Sequence, residues 1–222
     1  MLTDSPYTAF DTGAAWQYFI QGKGQMTLPG CAGWAWDNQA ASTTDCTHGP
    51  LYISYASAGG TELRVFEQAT PAAPYAISMY TAFDIANAIG ASSGVAGSVA
   101  SGLCFSDGTG KILRFTAGYD TVWEVISQNW TNSTTVGIPT TVRDSAAHVA
   151  QVPIAARSGI WMQIADNNTN TTASWSLDGQ TWVQFDSRSR TAIFAAGPTL
   201  YGPCAYPSSN AVTQVVYSIL AQ

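Results

Sequence analysis

The chain has 222 residues and a formal net charge of −6, and its eight Lys and Arg are spread singly. No basic patch exists to neutralise phosphates, which argues against a nucleic-acid partner, and the apolar runs, broken by Gly and Ser, are too short to span a bilayer. Charged residues make up only 10% and hydrophobic residues 46%; with charge well below the roughly 25% of ordinary globular proteins, the polar surface must be built from Ser, Thr, Asn, Gln and Gly.

In chain order, residues 1–30 stand apart. MLTDSPYTAFD has neither a basic n-region nor an apolar h-region, so the expectation is synthesis in the cytoplasm without passage through a secretion channel. The aromatics Phe10, Trp16, Tyr18 and Phe19 precede a Gly-Lys-Gly break. This segment reads either as a first strand or as an arm that docks on another subunit. Residues 31–222 read as one β domain. Trp34 to Gln39 alternates like a strand, and Asp45 to Pro50 is a turn. From Leu51 onward strands are expected at Leu51–Tyr55, Leu63–Gln68, Tyr75–Asp84, Gly102–Ser106, Ile112–Ala117 and Val122–Gln128, separated by Gly- and Pro-rich breaks. Thr131 to Thr141 reads as a long polar loop.

The clearest stretch is Ile160 to Asp186. Ile160, Met162 and Ile164 share one face, and Ala173, Trp175 and Leu177 share one face of the next run. Asp178-Gly179 is a strong hairpin signal, because Gly accepts the positive φ that such turns require. Trp182 to Phe185 completes a meander, with Trp161, Trp175 and Trp182 expected in the core. GPTLYGPCAYPSSN then reads as a Gly/Pro-rich excursion, and Val212 to Leu220 as a closing central strand. About a dozen short strands with no convincing helix predict an all-β, two-sheet antiparallel jelly-roll sandwich.

Two stretches carry a resemblance. WMQIADNNTNTTASWSLDGQTWVQF resembles the late hairpin of concanavalin A-like, laminin-G-like jelly rolls. LRVFEQATPAAPYAISMYTAFD and SGLCFSDGTGKILRFTAG are similar to domains of tailed-phage virion proteins, through Leu63, Arg64, Pro71, Pro74, Tyr75, Gly102, Leu103, Phe105, Asp107, Gly110, Lys111 and Phe115; the upstream WAWDNQAAS also fits. The resemblance implies a structural or adhesive module and carries over no catalytic residue.

The residues themselves give no catalytic constellation. The three Glu are at positions 62, 67 and 124. Glu62 and Glu67 differ in strand parity, and Asp120 and Glu124 lie about 13 Å apart along a strand, too far for a retaining carboxylate pair. His48 and His148, the only histidines, lie near no nucleophile elbow. Asp107-Gly108 and Asp166-Asn167-Asn168 offer oxygens suited to calcium, yet Asn and Asp also occupy hairpin loops for backbone reasons, and no metal or other cofactor is expected. Cys31, Cys46, Cys104 and Cys204 are scattered without a zinc pattern. Cys31 and Cys46 share a turn-rich region where a disulfide could form; free buried thiols are the expectation in a reducing compartment.

The expectation is therefore a structural virion surface protein of a tailed bacteriophage, a capsid decoration, head fibre or tail-fibre component. It would be held by contacts with other virion proteins and form a homo-oligomer. The second expectation is a carbohydrate-binding module engaging host surface glycans, with Trp130, Tyr201 and Tyr206 as loop aromatics that stack on sugars or touch a partner. A glycoside hydrolase is the third.

Overall fold

The computed structural model describes residues 33–45, 50–56, 62–84, 99–120, 122–134, 143–144, 159–207 and 211–222. In chain order the strands are β1 (Ala35–Asp37), β2 (Thr43–Asp45), β3 (Leu51–Tyr55), β4 (Arg64–Ala69), β5 (Tyr75–Asp84), β6 (Val99–Ser106) and β7 (Ile112–Asp120). They continue as β8 (Val122–Trp130), β9 (Arg143–Asp144), β10 (Ile160–Asp166), β11 (Asn170–Ser176), β12 (Val183–Ser189), β13 (Leu200–Tyr206) and β14 (Val212–Ala221). Among the described residues they form two sheets, ordered β1-β4-β13-β6-β7-β8-β9 (sheet I) and β12-β11-β10-β5-β14-β3-β2 (sheet II). The architecture is the all-β, two-sheet antiparallel jelly roll.

Alternation decides which side chains meet between the sheets. Phe66, Leu103, Phe105, Leu113 and Phe115 from sheet I pack on Leu51, Ile53, Ile77, Met79, Ile164 and Val216 from sheet II, all within one buried cluster. Removing this apolar area from water is the main stabilising term, at about 25 cal/mol per Å². One polar network threads the core. Tyr55 Oη donates to Gln214 Oε1 at 2.7 Å, and Gln214 Nε2 donates to Thr81 Oγ1 at 3.1 Å and to the Gly102 carbonyl at 3.4 Å. Burial pushes the Tyr55 phenol well above its ordinary range, so it remains a neutral donor.

The meander from β10 to β12 forms as expected. Gly179 has φ 71°, and a Cβ there would meet the Trp161 indole at 2.9 Å; the turn and the close approach both require glycine. Trp175 packs against the main core. Trp161 instead centres a separate cluster on the outer face of sheet II, with Tyr80, Trp182, Tyr217 and Leu220, so only part of the predicted tryptophan core lies between the sheets. Leu177 is 52% exposed, because it falls in the β11–β12 turn rather than on the strand.

Two further expectations shift. TLYGPCAYP is not a loop excursion: Leu200–Tyr206 is β13, in the interior of sheet I between β4 and β6. Trp130 does not begin a loop but ends β8, paired with Ile112. The arm aromatics Phe10, Trp16, Tyr18 and Phe19, together with Cys31, Cys46, His48 and His148, lie outside the described residues.

Candidate functional site

The outer face of sheet I is set by register. Phe66 points into the core, so its neighbours Val65 and Glu67 point outward. Asp37 pairs with Val65 and Ala35 with Glu67 across β1 and β4, and paired residues in a sheet share a face. Asp37 and Glu67 are therefore diagonal neighbours on the same outer face. Sheet I also curls. The chain leaving β8 reaches the opposite edge, where the Leu63 amide donates to the Ser133 carbonyl at 2.7 Å and Ser133 Oγ donates to Asp37 Oδ1 at 3.0 Å.

A cleft of about 360 Å³ opens at this edge, lined by Trp36, Asp37, Glu67, Ser106 and the 108–110 hairpin tip. Its volume lies in the range of roughly 300–1,000 Å³ usual for ligand pockets. Asp107 shapes the tip: its Oδ1 accepts from the Thr109 amide at 2.9 Å, from Thr109 Oγ1 at 2.8 Å and from the Lys111 amide at 3.1 Å. Gly108 and Gly110 take φ 70° and 115°, which lets the tip fold over the cleft. Trp36 borders the cleft from the core side: it pairs with Phe66 and its ring is tilted on that residue at 5.1 Å.

The electrostatics are one-signed. Ser106 Oγ donates to Glu67 Oε2 at 2.7 Å. Burial raises the Glu67 carboxyl above its ordinary value, and the nearby charges of Asp37 and Asp107 add to this against the lowering by Ser106. No Lys or Arg lines the cleft among the described residues. The arrangement offers carboxylate oxygens, a hydroxyl and backbone polar groups. Such a set accepts hydrogen bonds from a hydroxyl-rich or amine-bearing small molecule.

The aromatics expected from sequence lie elsewhere. Trp130 is 2% exposed. It sits in a small cluster on the outer face of sheet I with Leu63, Val65, Cys104, Ile112 and Cys204. The Arg114 guanidinium lies 5.5 Å from its ring centre and 5.0 Å from that of Tyr206. Tyr201 is 4% exposed, packs edge-on against Trp34 at 5.8 Å, and accepts from Gln68 Nε2 at its hydroxyl. Tyr206 is half-buried. The fold thus does not bring these three rings into the cleft, and Trp36, Asp37 and Glu67 were not singled out from sequence as a group.

Cys104 and Cys204 are free, buried thiols, and burial together with contact between them pushes the Cys104 thiol well up. The calcium-like oxygens are engaged differently: Asp166 accepts from Arg190 Nε at 2.7 Å, and Asp107 closes its own turn. Among the described residues no group of three or more His, Cys, Asp or Glu converges as a metal site.

No protein-family model matches the chain, and no curated protein sequence matches it. Solved structures do. The chain is similar to a functionally unknown protein from Saccharomyces cerevisiae, with TM-score 0.60 and 13% identity over 87% of this chain and 98% of that one. It is similar to the legume lectin-like domain from Entamoeba histolytica, with TM-score 0.52 and 8% identity over 86% and 89%. It is also similar to the GH43 protein BlXynB from Bacillus licheniformis, with TM-score 0.57 and 12% identity over 85% of this chain but 36% of that one. At these identities the likeness establishes the lectin-like jelly-roll fold.

Proposed function

We propose that the protein is a carbohydrate-binding module that holds a saccharide in the cleft between β1, β4 and the β6–β7 hairpin. The observation that carries this reading is the composition of the cleft: two carboxylates, a serine hydroxyl and glycine backbone, bordered by Trp36. A sugar presents a rim of hydroxyl donors, which these acceptors complement. The lectin-like fold of the domain supports the reading. Binding of immobilised glycans by the full chain, alongside Asp37→Asn and Glu67→Gln, tests it. Wild type binds at least one glycan class, and each variant weakens it by about 10–100-fold, the loss of a hydrogen bond to a charged group. Absence of binding to every glycan removes the reading.

A second reading is the virion-surface role that the sequence resemblance implies, the module serving as a particle component that adheres through protein contacts. Leu177 and Val183, 52% and 42% exposed near the β11–β12 turn, favour protein neighbours there. Yet Leu63, Tyr75, Leu103, Phe105 and Phe115, which help carry the resemblance, are core residues whose direct meaning is the fold. Co-sedimentation with particles, comparing the full chain with one starting at Gly30, decides whether residues 1–30 anchor it.

A further inference from the structure

Resting on the carbohydrate reading, we infer that the saccharide held in the cleft carries a free amino group in its ammonium form. Asp37 and Glu67 lie diagonally on one face, and each has only one oxygen engaged by the protein: Asp37 Oδ1 by Ser133 and Glu67 Oε2 by Ser106. The second oxygen of each carboxylate has no donor among the described residues. Arg64, the nearest arginine along the chain, is committed to Glu62 at 2.5 Å. Arg114, on the same outer face, lies against the Trp130 and Tyr206 rings.

Charge then selects among sugars. An acidic saccharide, uronate or sulfated, meets like charge in a half-desolvated cleft, where the Coulomb cost is several times that in water. A neutral sugar donates hydroxyls to the two spare oxygens but leaves the repulsion between Asp37 and Glu67 in place. An ammonium supplies three donors on a compact charge. It can satisfy both spare oxygens and cancel that repulsion. The cleft and the register that sets both carboxylates on one face carry this, and the raised Glu67 carboxyl agrees with it.

The test is calorimetric titration of the full chain, near neutral pH and moderate salt, with four probes. They are a β-1,4-linked glucosamine oligomer, its N-acetylated counterpart, a glucose oligomer of the same length and linkage, and the simple diamine putrescine. The glucosamine oligomer binds at least about tenfold more tightly than either neutral oligomer, a difference of about 1.4 kcal/mol. Asp37→Asn and Glu67→Gln, checked to melt no lower than wild type, each shrink that preference. Equal or tighter binding of a neutral oligomer overturns the inference and leaves the carbohydrate reading standing. Failure of all three oligomers to bind removes the carbohydrate reading at this cleft. Putrescine binding as tightly as the glucosamine oligomer overturns both, because the occupant is then an amine and not a sugar.

Discussion

Trp36 on β1 of sheet I meets Tyr55 on β3 of sheet II edge to face, with ring centroids 6.1 Å apart and planes at 85°. This contact ties the short edge strand that carries Asp37 to the opposite sheet, so the closure of the sandwich anchors the strand that borders the cleft. Edge-to-face pairs contribute about 0.5–1.5 kcal/mol beyond their area. Trp36→Ala is expected to destabilise the fold by about 3 kcal/mol and to abolish glycan binding, whereas Trp36→Phe keeps most of the stability. Urea unfolding followed by circular dichroism, with the glycan assay beside it, checks both halves.

Gly202 faces β4 so closely that an added Cβ would collide with the Phe66 carbonyl, and it would meet Glu67 Cα at 2.8 Å. Backbone on both sides leaves no flexible group to give way. Gly202→Ala is expected to cost about 1–3 kcal/mol and to displace Glu67, weakening ligand binding as well as stability. A variant with wild-type melting and wild-type affinity would contradict this packing.

Glu67 is a carboxyl raised in the folded state, which fixes the sign of its effect on stability. The folded protein binds the proton more tightly than the unfolded chain does. Its influence is therefore favourable below the ordinary value of 4.5 and is lost as pH rises through the higher folded value. Glu67→Gln removes a penalty present at neutral pH. The variant should melt above wild type at pH 7, with the gap closing as the solution is acidified toward the ordinary carboxylate range.

Asp178 has the opposite sign. Its Oδ1 accepts from the Gln180 and Thr181 amides, each at 2.8 Å, and these bonds hold the carboxyl far below its ordinary 3.8. The stability it contributes is present above that value and is lost as pH falls toward the depressed folded value. Asp178→Ala should lower the melting temperature at pH 7, and the difference from wild type should shrink only under strong acid.

Much of this fold is legible in the residues themselves. The bounds of Leu51–Tyr55 and Tyr75–Asp84 follow directly from alternation between turn residues, and Asp178-Gly179 marks its hairpin. Local pattern fails where long-range packing overrides it. Gly202-Pro203 resembles a loop, yet β13 runs through the interior of sheet I, where Gly202 gives β4 room to approach. Trp130 is followed by the polar run TNST, which suggests exposure, but its ring is covered because it shares a face with Leu63 and Ile112. The Asp37–Glu67 pair is harder still. Strand parity along one segment says nothing about residues 30 positions apart; only the β1–β4 register sets them on one face. The available signal was that WAWDNQ and VFEQ each place an acid one residue after an aromatic, with both aromatics in the core.

The most direct measurement is an amide NMR titration of the full chain with its best-binding glycan. A saccharide in the cleft moves the backbone amides of Trp36, Ser106, Gly108 and Gly110, and leaves those of Leu177 and Val183 still. Shifts confined to Leu177, Val183 or Tyr52, with the Trp36 and Gly108–Gly110 signals unmoved at saturation, would contradict the cleft as the binding site.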